Sequence, residues 1–155
     1  MFLTLWCLLT LVLAAMLPGT TFAPAFGMRT PDRNAPAQWL QAHSLYRGLS
    51  GIAAVLQPIA MLAAAVMTVL LRDWRPALLS ALAGAACLAV SHLVYRVITH
   101  RADVQIVQWL AQAPPDDWHT WRNKWNVSQW VRFVLQLVGF ALLALATLIS
   151  PLAQD

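Results

Sequence analysis

Both tyrosines of the chain sit in one five-residue pattern, His-x-x-Tyr-Arg, written as His43-Ser-Leu-Tyr46-Arg47 and His92-Leu-Val-Tyr95-Arg96. On a helix, positions i, i+3 and i+4 share a face, so each copy presents an imidazole, a phenol and a guanidinium together. That trio suits acid–base chemistry. Histidine exchanges protons near neutral pH, and a fixed guanidinium can hold the enolate or phenolate that proton abstraction leaves. Helical spacing widens the set. His92, Arg96 and His100 form one polar stripe with Ser91, Tyr95 and Thr99 beside it. Trp118, Trp121, Trp125, Gln129, Arg132 and Gln136 form a second face, aromatic first and polar deeper, and Trp39, His43, Tyr46 and Arg47 repeat the order. The candidate bases are His92 and His43. The candidate substrate-binding residues are Tyr46, Arg47, Tyr95, Arg96, Trp121, Trp125, Gln129 and Arg132.

These residues must be positioned by a membrane domain. Of the 155 residues, 60% are hydrophobic and only 10% charged, against about 25% charged in a soluble domain. The mean hydropathy is +0.63. Residues 51–71, 76–91 and 133–150 carry no charge, each close to the ~20 residues that cross the hydrocarbon. The first apolar run, 2–17, has no Lys or Arg before it. A cleaved signal peptide normally has one there, so this run reads as a retained span. The fold class is therefore all-α: a four-helix transmembrane bundle and a single integral membrane domain, 1–155, with spans of about 2–17, 51–71, 76–99 and 131–150. Residues 18–35, rich in Pro and Gly, read as a turn-rich connector, with Asn34 placed to cap a helix that starts at Pro36. That helix extends into the second span. Residues 102–112 have helical apolar spacing and suit a short interfacial helix. Pro114-Pro115 break the chain, and Asp116 or Asp117 can cap a last, long helix that projects beyond the bilayer. Gln57-Pro58 read as a local kink.

Counting crossings gathers the polar groups. With the N-terminus on side A, both His-x-x-Tyr-Arg copies and Gln129 with Arg132 fall at the side B end. Side B also holds eight of the ten basic residues: Arg29, Arg33, Arg47, Arg96, Arg101, Arg122, Lys124 and Arg132. By the positive-inside rule, side B is cytoplasmic, and the setting is a bacterial inner membrane. The short basic loop at Arg72 and Arg75 pulls the other way. Two readings of the polar end stay open. It is a collar of interfacial anchors, since Trp, Tyr and Arg favour that depth, or it is a pocket between helices. Several guanidinium groups at one depth need neutralising by Asp32, Asp103, Asp116 or Asp117, by a lipid headgroup, or by an acidic ligand from the bilayer.

Other chemistries lack their signatures. Cys7 and Cys87 lie in different spans without C-x-x-C, so they read as packing residues. The four histidines, His43, His92, His100 and His119, form no H-E-x-x-H or C-x-x-C-H pattern, so neither metal nor cofactor is expected. The charge of +4 has no cluster of the nucleic-acid-binding kind. The expected partners are the lipid bilayer and a lipophilic small molecule; the oligomeric state stays open.

The segment Pro115-Asp116-Asp117-Trp118-x-x-Trp121-Arg122-x-Lys124-Trp125-Asn126-x-x-Gln129-Trp130-x-Arg132 resembles the DUF1772 family of small membrane proteins, which includes the fungal anthrone oxygenases. Arg122, Lys124, Trp125 and Arg132 match the family's pattern before its last span. Gln129 stands where that family tends to have His, and Asp103 where Asn is common. The resemblance is specific over about 98–145 and architectural elsewhere. It implies an oxygenase acting on a polycyclic phenolic substrate without an evident cofactor. Two functions are carried forward: an enzyme that deprotonates such a substrate for direct reaction with oxygen, and a non-catalytic accessory protein that binds an anionic lipid, a quinone or a partner helix.

Overall fold

The computed structural model describes residues 1–27, 36–109 and 114–150. They form α1 (Phe2–Gly27), α2 (Pro36–Leu70), α3 (Arg75–Val94), a five-residue π segment (Tyr95–Thr99), α4 (His100–Gln108) and α5 (Trp118–Leu148). No strand occurs among the described residues. Four stretches are long and apolar enough to cross a membrane: Phe2–Phe26, Ala37–Leu70, Arg75–Gln108 and Trp118–Leu148. The chain is an integral membrane protein.

Each spanning helix packs on two others, α1 on α2 and α5, and α3 on α2 and α5. Because consecutive spans run in opposite directions, this is an up-down-up-down four-helix bundle. Large apolar side chains such as Leu8, Val12, Val55, Ile59, Leu62, Leu79 and Val134 stay on its outside, where lipid covers them. The core at that level is built of small and branched residues, among them Ala14, Leu17, Ala60, Ala64, Met67, Ala81, Leu88, Leu143 and Ala146.

The first and third spans run longer than the sequence pattern implies. α1 continues through Pro18 and Pro24, so residues 18–27 are helix rather than connector. In a bilayer an unsatisfied backbone group is costly, which favours keeping the helix. Local threonines help, since Thr20 Oγ1 donates to Leu17 O at 2.8 Å and Thr21 Oγ1 to Pro18 O at 3.2 Å. The expected cap at Asn34 lies outside the described residues; α2 does begin at Pro36 and runs unbroken through Pro58. The expected interfacial helix is also different. Within 102–112, the described residues to Gln108 continue the third span through the π segment. The reason is packing. Ala102, Ile106 and Trp109 bury themselves against Trp39, Trp118 and Trp125 rather than lying on the membrane surface.

That packing defines a second core. α2 has 35 residues and α5 has 31, or roughly 52 and 46 Å of helix, against a hydrocarbon core of about 30 Å. The surplus stands beyond the bilayer at side B, where α2, α4 and α5 close around Trp39, Leu40, Ile106, Trp109, Trp118 and Trp125.

Within the membrane-spanning part, α3 and α5 meet backbone to backbone. A Cβ on Gly84 would lie 2.9 Å from Leu143 Cγ and 3.0 Å from the Gly139 carbonyl oxygen. Gly84→Val should therefore destabilise the bundle by about 1–3 kcal/mol through overpacking. Gly48→Ala, with nothing within 4 Å of the new Cβ, should be neutral or gain up to about 1 kcal/mol of helix propensity. Thermal unfolding of the purified protein in detergent reads both. Equal midpoints for Gly84→Val and wild type would contradict the close contact.

Candidate functional site

Between the two apolar cores lies a buried polar layer. Thr21 of α1, Gln57 of α2, Ser91 of α3, Thr99 of the π segment, and Ser128, Gln129, Arg132 and Gln136 of α5 are all nearly inaccessible. Each helix contributes because its polar residue falls on the inward stripe; on α5 this is the face running from Trp118 to Gln136.

The layer is a linked chain. Thr21 Oγ1 donates to Gln136 Oε1 at 2.7 Å, and Gln136 Nε2 donates to Gln57 Oε1 at 3.3 Å. The same Gln57 oxygen accepts from Arg132 Nη2 at 3.4 Å, while Gln57 Nε2 donates to Leu88 O at 3.2 Å. Arg132 Nη1 donates to Gln129 Oε1 at 3.3 Å, and its guanidinium carbon stands 4.8 Å from the centre of the Tyr95 ring. Arg132 is only 2% exposed. Its two hydrogen bonds are long for N–H···O, and its Nε has no partner among the described residues. No carboxylate among the described residues comes within 4.0 Å of it. A buried guanidinium with amide and π partners alone is under-satisfied.

One to two turns outward is a second constellation. Asp103 Oδ1 accepts from His43 Nε2 at 2.9 Å and from Trp125 Nε1 at 2.7 Å. An ionised carboxylate only accepts, so it sets the proton of neutral His43 on Nε2 and leaves Nδ1 as the lone-pair nitrogen. That Nδ1 is buried without a partner among the described residues. The ring is held by indoles, stacked on Trp39 at 5.3 Å and edge-on to Trp125 at 5.0 Å between ring centres.

A cavity of about 420 Å3 opens beside the second of these. His43, Arg47, Ser50, Gly51, Tyr95, His100, Asp103, Val104, Val107 and Gln108 line it. Its size falls within the range of about 300–1,000 Å3 typical of small-molecule sites. Tyr95 is the link, with one ring face under Arg132 and its side chain on the cavity wall. Tyr95 also opens the π segment, where the His100 N–H reaches back five residues to Tyr95 O; such widened turns often occur at functional sites.

The sequence candidates divide accordingly. His43, Arg47 and Tyr95 meet at the cavity, with Arg132 and Gln129 behind Tyr95. Trp125 is buried, and orients Asp103 rather than forming an outer wall. Tyr46 and Trp121 are half-buried against the tryptophan core. His92 is half-buried, 6.1 Å from the Tyr95 ring centre, and is not among the residues lining the cavity. Arg96 and His100 are exposed, with His100 on the cavity wall; the buried face of the third span carries Ser91, Thr99, Ala102 and Ile106. Of the three arginines, Arg132 is buried while Arg47 and Arg96 are exposed. Gln57, Gln136 and Asp103 are the residues sequence reasoning undervalued. A glutamine in the middle of an apolar span was the available signal for the first of them. Among the described residues no three of His, Cys, Asp and Glu converge as metal ligands, and both cysteines are free.

Comparison of the chain with protein-family models, curated proteins and solved structures finds no match.

Removing the shared acceptor tests the layer. Gln57→Leu should cost about 1–3 kcal/mol, because it leaves buried groups of Arg132 and Gln136 unpaired. Adding Arg132→Met should cost less than the sum of the single changes, with a coupling of about 0.5–3 kcal/mol. Detergent unfolding midpoints of the two single variants and the double variant measure this. Strict additivity would mean that the two side chains do not share a network.

Proposed function

We propose that the side B end of the bundle binds a lipophilic weak acid of the phenol or enol type, entering laterally from the bilayer. The observation that carries this reading is Arg132. It is a guanidinium buried in a membrane protein with no carboxylate within 4.0 Å among the described residues, Asp103 acting on it only from beyond that distance, and it is stacked on the tyrosine that lines a ligand-sized cavity. Such a charge costs about 2.5–3.5 kcal/mol at the centre of an inserted helix, and an anionic ligand nearby would offset part of that. In this reading, Tyr95 donates its hydroxyl hydrogen to the ligand oxygen, Arg47 supplies charge at the mouth, and Arg132 steadies Tyr95 from behind.

The His43–Asp103 pair favours a second, catalytic reading of the same cavity, in line with the resemblance to the anthrone oxygenases. His43 is the base of that step: its Nδ1, buried in the structure, takes the proton from an acidic C–H of the substrate once the indoles beside the ring part to admit it, with Asp103 supporting the imidazolium. The carbanion then reacts with dissolved oxygen to give a hydroperoxide. Loss of water leaves the new carbonyl, with one oxygen atom in the product and one in the water. Without that step, the same residues make an accessory binding protein.

Anthrone titrated into nanodisc-embedded protein, followed by tryptophan fluorescence, tests binding, with anthracene as the non-acidic control. Wild type should prefer anthrone, and Tyr95→Phe, which keeps the ring under Arg132, should bind it about tenfold more weakly, the worth of one hydrogen bond. Equal quenching by anthrone and anthracene would sink the acid-binding reading. Oxygen uptake with anthrone that is lost in His43→Gln supports the enzyme; binding without uptake leaves the accessory protein.

We further infer that side B faces the cytoplasm of a bacterial inner membrane, from its excess of Lys and Arg. In a variant lacking Cys7 and Cys87, a cysteine placed at Asp73 should react with an impermeant thiol reagent in intact cells and one at Arg101 should not. The reverse pattern would invert the orientation.

A further inference from the structure

A second, larger depression lies on the seam between the third span and α5 and shares no lining residue with the first. It encloses about 950 Å3, and its walls change character along the helix axis. Val94 and Ile98 from the third span and Val127 and Val131 from α5 form its deep part. Val131 adjoins Arg132 at the start of the apolar stretch, so this part sits at the edge of the hydrocarbon. His119, Arg122 and Lys124 line the outer part. Lys124 is seven residues from Val131, or roughly 10 Å along the helix, so its long side chain reaches back to a headgroup layer about 5–7 Å deep.

The cations of the outer part are held in place but not neutralised. Arg122 stands over the Trp118 ring at 5.0 Å and Lys124 over the Trp121 ring at 4.8 Å. No carboxylate among the described residues lies within 4.0 Å of either. Asp116 and Asp117 precede the helix and form no ion pair with them. The Arg122 Nε is buried with no partner among the described residues. The groove therefore offers apolar surface at its deep end and, further out, two cations without an ion pair among the described residues.

We propose that this groove is a binding site for an anionic glycerophospholipid, with its phosphate between Arg122 and Lys124 and an acyl chain along Ile98, Val127 and Val131. A zwitterionic lipid fits the same groove less well, because its ammonium group finds no carboxylate there. This site is independent of the cavity that Tyr95 lines.

The test is native mass spectrometry of the delipidated protein in detergent, titrated with phosphatidylglycerol or phosphatidylcholine of identical chains. Wild type should bind phosphatidylglycerol about tenfold more tightly, from roughly one tenfold step of electrostatic attraction shared by two basic residues. The double variant Arg122→Gln/Lys124→Gln should lose that preference, whereas Arg101→Gln, which removes a charge at the same end but outside the groove, should keep it. Ile98→Trp, which fills the groove without touching charge, should weaken binding of both lipids. Equal affinity for the two lipids in wild type would overturn the proposal, as would a preference that survives the double variant or falls equally in Arg101→Gln. Millimolar inorganic phosphate should not displace the lipid; displacement would assign the site to a free anion instead.

Discussion

The fold is organised around the burial of one guanidinium. Arg132 lies where the membrane core gives way to the tryptophan core, 2% exposed and without an ion pair among the described residues. A charge in that place has to be solvated by the protein, and the protein does so with amides from two helices and the face of an aromatic ring. Gln57 is the pivot, since its oxygen accepts from both Arg132 and Gln136 while its nitrogen satisfies a carbonyl of α3. Through Thr21 the same chain reaches α1. All four spans are thus tied to a single level, which fixes their vertical register. In a bilayer, where lipid tails are as apolar as leucine, these hydrogen bonds add to the close packing of small residues at Gly84 and Gly139.

Above and below that level the packing differs in kind. Toward side A the helices approach through alanine and glycine, closely enough that Gly84 and Gly139 touch across α3 and α5. Toward side B the helices pack through indoles, around Trp39, Trp118 and Trp125. Both depressions border the third span toward side B, one between it and α2 and the other between it and α5.

The architecture was legible from hydropathy and crossings, because four apolar runs and a very short second connection leave few topologies. The inward face of α5 was legible too, since Trp118, Trp125, Gln129, Arg132 and Gln136 repeat at helical spacing and are all buried. The third span was not. Its most chemical-looking stripe, His92, Arg96 and His100, is half-buried or exposed, while the face turned inward carries modest residues such as Ser91 and Thr99. Periodicity reveals which residues share a face but not which face meets a neighbour when nearly every residue is apolar. Continuation of α1 through two prolines, and of the third span into α4, was hidden for a related reason. Local punctuation marks helix ends in water, but the bilayer and a tryptophan core both reward an unbroken helix.

The repeated His-x-x-Tyr-Arg is a repeat of composition and not of geometry. In the first copy the histidine is buried and bonded to Asp103, while the arginine is exposed. In the second copy the π segment begins at the tyrosine, and it is this tyrosine that contacts Arg132. Each copy therefore contributes a different member to the cavity, His43 and Arg47 from one and Tyr95 from the other. Neither motif makes a site alone. Because α2 and the third span run antiparallel, the two copies can face each other only if they lie at the same depth, and the register that sets this depth is the one imposed by Gln57 and Arg132. The buried charge and the cavity are thus consequences of one alignment, so a change that lets the guanidinium slip would also pull His43 away from Tyr95.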